Sequence, residues 1–207
     1  LIETISSTGT GNDAAKITIT GTGGAGTNNN YGVYLLGSTT DVTSVAGDIA
    51  ITGVGGNGSS DSNFGVYVTG IETISSAGTG SDAAKITITG TGGAGTDYNY
   101  GVLLSGSTTD VTSVEGDITF TGAGGAGTGT FNLGVIFLGS QVSSTGTGSH
   151  AAEITITGTG GGNGLTAANQ GIALYGVTVT SVDGDITLTG TGAAGTNENY
   201  GVLLKDI

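Results

Sequence analysis

The chain contains no cysteine, proline, methionine or tryptophan, and among its 207 residues only three are basic. Without cysteine there is no disulfide framework and no thiolate metal site. The three cations are Lys16, Lys85 and Lys205, and there is no arginine. Sixteen acids against them give a net charge of −13. Nucleic-acid binding needs cations on phosphates, so this balance argues against it. Attachment to anionic lipid heads is disfavoured in the same way. Long apolar runs are missing too. The longest, such as VYLL at 33–36 and VIFL at 135–138, are far too short to span a bilayer, so no membrane insertion is expected. No signal peptide is present and the chain does not begin with Met, which reads as a mature segment or an excerpt.

What is abundant is glycine, 45 residues of it, in no Gly-X-Y period, which excludes collagen. The apolar residues recur at fixed positions, which a disordered chain has no reason to maintain. Residues 14–27 read AAKITITGTGGAGT and residues 83–96 repeat those letters; GSTTDVTSV at 37–45 returns at 106–114. A third copy, AAEITITGTGGG at 151–162, carries more drift. The chain thus reads as one solenoid domain over 1–207, with internal repeats 2–70, 71–139 and 140–207. Each repeat is a doublet. Ile17, Ile49, Ile86, Ile118, Ile154 and Ile186 are equivalent, at spacings of 32, 37, 32, 36 and 32. Six turns therefore alternate between a longer form, with an insert at Gly11–Ala15 or Gly80–Ala84, and a shorter one.

Each turn holds two clear strand signals and a weaker third. I-T-I-T, as at Ile17 to Thr20, alternates strictly and predicts a strand with one buried face. Y-G-V-x-L, as at Tyr31 to Leu35, predicts Tyr31, Val33 and Leu35 on one face and Gly32 and Tyr34 on the other. The third is V-T-S-V at Val42–Val45, Val111–Val114 and Val179–Val182, replaced in longer turns by Ile2–Ile5 and Ile71–Ile74. Glycine-rich corners such as GTGGAGT separate the strands. Three short strands per turn and no helical pattern predict an all-β fold, a parallel β-helix of about six turns with three sheets. A sandwich of antiparallel hairpins is the rival, but it would not need six matched turns of this length.

The G-D-I-T-L-T-G…N-Y-G-V-L-L pattern resembles large bacterial β-strand-repeat surface proteins of the cyanobacterial type. In style it is similar to the β-helical shafts of filamentous-haemagglutinin-type adhesins, although the turn here is longer. The resemblance covers the whole chain and implies an extracellular or cell-surface shaft, layer or fibril. The last residues, Val202 to Ile207, match the phase of Val66 to Ile71, so the chain could continue into its own beginning. Neither end carries a polar cap. The expected partner is therefore self, either a head-to-tail copy or neighbouring repeats of a longer chain.

Three constellations stand against that structural reading. Lys16, Asp48, Lys85, Asp117, Glu153 and Asp185 precede the first-strand isoleucines and form a column. Lys85 between Asp48 and Asp117 makes a favourable charge ladder. The run Asp117, Glu153 and Asp185 offers oxygen ligands to a hard cation such as Ca²⁺, or else forms a solvated acidic edge. Second, the pairs Thr18/Thr20, Thr87/Thr89, Thr119/Thr121, Thr155/Thr157 and Thr187/Thr189 form a T-x-T array broken only by Ala50 beside Thr52. Such arrays resemble those of ice-binding proteins, while threonine is also a good strand former whose hydroxyls pair across strands. Third, Tyr34, Tyr67, Tyr98 and Tyr175 sit outward or near corners, where rings can stack on extracellular polysaccharide or on another fibre. No enzyme is expected: there is no arginine, the one histidine (His150) sits on a corner, and no Ser or Thr has a base partner.

Overall fold

The structure, a computed structural model, describes residues 4–206. It is a parallel β-solenoid of six turns, each contributing one strand to each of three sheets. The first, here the serine sheet, holds β1 (Thr4–Ser7), β4 (Asp41–Ser44), β7 (Thr73–Ser76), β10 (Asp110–Ser113), β13 (Gln141–Ser144) and β16 (Thr178–Ser181). The threonine sheet holds β2 (Ile17–Thr22), β5 (Ile49–Val54), β8 (Ile86–Thr91), β11 (Ile118–Ala123), β14 (Ile154–Thr159) and β17 (Ile186–Thr191). The tyrosine sheet holds β3 (Val33–Leu36), β6 (Val66–Thr69), β9 (Val102–Ser105), β12 (Val135–Leu138), β15 (Ile172–Tyr175) and β18 (Val202–Lys205). The I-T-I-T signal forms a strand of six residues, two longer than its motif. The V-T-S-V strand instead begins one residue early and ends before the final valine, so Val45, Val114 and Val182 fall outside it. Ile71 is buried in the core but precedes β7, and Ile2 lies outside the described residues.

Register is unbroken. Ile118 pairs with Ile86 on one side and Ile154 on the other, and Val135 with Val102 and Ile172. Inward residues therefore stack in like-on-like ladders. Val66, Val102, Val135 and Ile172 have no exposed surface, and neither have Ile49, Ile86, Ile118 and Ile154. In the fourth turn Phe120 and Phe137 meet edge to face at 4.8 Å and fill the centre where other turns use aliphatic side chains.

The corner between the threonine and tyrosine sheets depends on glycine. A Cβ on Gly90 would lie 2.0 Å from the carbonyl oxygen of Gly101, so no side chain fits where the chain doubles back on itself. The longer turns carry their inserts as loops, with single 3₁₀ turns at Gly80–Asp82 and Gly148–His150. The amides that open these turns are held by acids of the following turn: Gly80 N donates to Glu115, and Gly148 N to Asp183 Oδ2 at 2.8 Å.

One sequence expectation is overturned. Tyr31 does not share the inner face with Val33 and Leu35. It packs in a second apolar cluster, outside the tyrosine sheet, with Phe64, Tyr67, Tyr100, Leu103, Leu133 and Ile136. Strict alternation fails because Gly32 ends the corner and the strand begins only at Val33. Tyr31 stacks on Phe64 at 5.0 Å and Phe64 on Tyr100 at 4.9 Å, so these rings form an aromatic column on the outer side of the sheet.

Candidate functional site

The solenoid presents three chemically different outer faces. The serine sheet turns threonine, serine and the acids Asp41 and Asp110 outward. The tyrosine sheet turns out apolar side chains that cover one another. Leu103 and Ile136 are only 5% and 6% exposed although they point away from the core. At the first turns Tyr34 stacks on Tyr67 at 4.9 Å, and Tyr34 keeps nearly half its surface in water. Tyr98 and Phe131 stack at 5.2 Å on the neighbouring corner, both with φ near +57°. Burial raises the pKa of Tyr100, and the phenols of Tyr98 and Tyr175 add to the rise. Burial likewise raises Tyr31, beside Tyr67 and Tyr34.

The threonine sheet is larger than its motif suggested. Its six-residue strands add a third outward column, Thr22, Val54, Thr91, Ala123, Thr159 and Thr191. All but three of the eighteen outward positions are threonine, the exceptions being Ala50, Val54 and Ala123, and none is charged.

The acidic column is neighbourly as expected, but its contacts are already assigned. Lys16 Nζ lies 2.9 Å from Asp48 Oδ2, and Lys85 Nζ lies 2.8 Å from Asp117 Oδ2. The second oxygens accept backbone amides from the next turn, Lys85 N to Asp48 (3.2 Å) and Glu153 N to Asp117 (3.1 Å). Burial pushes the Asp48 carboxyl up, but the Lys16 and Lys85 bonds outweigh it and leave its pKa below the usual value. The hydrogen bond to Asp117 raises Lys85. Glu153 and Asp185 follow on the next two turns, exposed. Among the described residues no three His, Cys, Asp or Glu side chains gather as a metal-binding group; Asp117, Glu153 and Asp185 lie along one edge on successive turns. His150 is exposed on its 3₁₀ turn.

A column that the sequence reading passed over is asparagine. Asn30, Asn63, Asn99, Asn132, Asn169 and Asn199 precede the corner residue of every turn, and four of them are fully buried. Asn30 Nδ2 donates to Asn63 Oδ1 (2.7 Å), Asn63 to Asn99 (2.9 Å), Asn99 to Asn132 (2.8 Å) and Asn132 to Asn169 (3.2 Å). The same oxygens also accept backbone amides, as from Asn132 N to Asn169 at 2.8 Å. The remaining amide protons reach carbonyls of the same corner, such as Ser60 and Gly129. An amide is the side chain that donates up the stack and accepts from below at once, which a buried, irregular corner requires. The signal was N-x-G-V/I in all six turns.

No protein-family profile matches the chain, and no curated protein and no solved structure matches it either.

Proposed function

We propose that the chain is a non-catalytic, load-bearing stretch of an extracellular bacterial rod, either the shaft of a large surface protein or the subunit of a fibril. The observation that carries this reading is the unbroken parallel register of all three sheets over six turns. Their backbone hydrogen bonds run along the rod axis, so tension on the rod is shared by three ladders in parallel. The side-chain columns of asparagine, isoleucine and valine repeat the same support at each step.

The last turn supports stacking. Ile186, Val202 and Leu204 are 44%, 38% and 63% exposed, whereas Ile118, Val135 and Phe137, their counterparts two turns back, are fully buried. Ile186 and Leu204, with Leu174, Val177, Val179 and Leu188, line an apolar depression at the rod's end. Another turn of the same kind would cover it, whether a continuing repeat or the first turn of a second copy. In the second case β16, β17 and β18 would pair with β1, β2 and β3, and Asp185 would meet Lys16 as Asp48 meets Lys85. Polysaccharide is the partner suited to the exposed rings of Tyr34 and Tyr98. The excess of acid disfavours nucleic acid, and among the described residues no helix is long and apolar enough to cross a membrane.

Electron microscopy of the native material, with and without a calcium chelator, tests the reading. Uniform rods or fibres of constant width are expected, and compact particles without axial stacking would refute it. Loss of fibres on chelation would assign a bound cation to the Asp117, Glu153 and Asp185 edge.

A further inference from the structure

The outward threonines are the one motif that a scaffold does not use. In-register pairing places neighbouring strands about 4.8 Å apart, and alternate residues along each strand about 6.6 Å apart. Three columns across six strands therefore make a two-dimensional net of hydroxyl and methyl groups. The spacings are close to those of the oxygen rows on a prism face of hexagonal ice. Flat stacks of many strands are held by side-chain ladders of the kind seen inside this rod.

The hydroxyls of this net are free for water. Threonine hydroxyls that donate within the protein, those of Thr40, Thr96, Thr109, Thr128 and Thr130, all lie at corners and loops rather than in the array. The expectation that the array's hydroxyls pair across strands is therefore not met. Charge is excluded as well. A chain of net charge −13 places no ionised group at any of the eighteen positions, while the serine sheet carries Asp41 and Asp110 outward and the tyrosine sheet ends on Lys205. Ionised groups hold their own hydration shell and would disrupt an ordered water layer, whereas methyl and hydroxyl in alternation can template one.

The geometry points to ice as the ligand of this face: its surface lattice docks on Thr18–Thr22 and their counterparts through rows of water ordered between the threonines. The proposal is independent of the rod's mechanical role, which the microscopy above reads separately.

The test uses the whole chain in a nanolitre osmometer, with circular dichroism to verify folding. At millimolar concentration the protein should shape growing ice crystals and open a gap between melting and freezing points. Thr121→Lys, at the centre of the face, should abolish both. Thr112→Lys, on the serine sheet of the same turn, should leave both intact. Thr89→Lys reads the same face one turn away if the first variant does not fold. Absence of ice shaping by the folded wild-type chain overturns the proposal, as does equal loss in the Thr112 and Thr121 variants. Face-to-face dimers in sedimentation that Thr121→Lys dissociates, without any effect on ice, would make the face a protein interface and overturn it as well.

Discussion

The threonine and tyrosine sheets share a backbone, a register and an inner core, yet their outer sides have opposite fates. Outside the tyrosine sheet Leu103, Ile136 and Ala173 are buried by one another and by the corner residues Phe64, Tyr100 and Leu133. Outside the threonine sheet each turn leaves its hydroxyls in water. The difference shows that inward columns specify the solenoid while each outward face can be written independently. Alternation along a strand separates the two sets of side chains, so changing one leaves the other in place.

Val102→Asp would remove the common ground of the comparison. It puts a charge without a partner in the shared core, and a loss on the order of 4 kcal/mol or more is expected. Urea unfolding followed by circular dichroism measures it; a harmless substitution would mean that Val102 does not face inward. Asn99→Leu strikes the corner that joins the two sheets. It leaves the Asn63 amide and the Asn132 carbonyl oxygen each short of a bond, at about 2–3 kcal/mol together. The same melts should show it.

Ile136→Lys and Thr121→Lys sharpen the contrast directly, since both side chains point outward in one turn. The first should cost about 2–3 kcal/mol because its site is dry. The second should stay within about 0.5 kcal/mol. Equal effects would remove the distinction between the faces.

The smallest effect is alkaline. Tyr100 has its pKa raised by burial, so its contribution is complete below the unfolded value of about 10. Above that pH the unfolded chain ionises first and stability falls. Melting temperature should therefore decline from about pH 10 upward. Tyr100→Phe should flatten that limb.

Much of this was legible in the sequence. I-T-I-T fixed the threonine sheet because its period matches the pleat, and the repeat spacing placed each strand on its neighbour. Tyr31 was misplaced because period two holds only inside a strand, and Gly32 lies at a corner. The asparagine column was visible as a letter in every turn, but an asparagine beside glycine also reads as an ordinary turn former. Only the stacking of corners shows that these amides bond to each other. The acidic column was placed correctly by spacing. Sequence could not show that Asp48 and Asp117 also accept amides from the next turn, because that depends on backbone direction at the corner.

The pairing pattern also bears on how such a chain acquires its shape. Each strand bonds only to strands 30 to 37 residues away, as Thr4 does to Asp41 and Ile17 to Ile49. Among the described residues no pairing ties the first turn to the last. Folding is then close to a one-dimensional growth process, in which a finished turn is the template for the next. Loop closure costs the same modest entropy at every step and does not mount with length. A rod of this design can be assembled in the order in which its residues emerge from a ribosome or a secretion pore, and lengthening it adds stability without adding a folding problem.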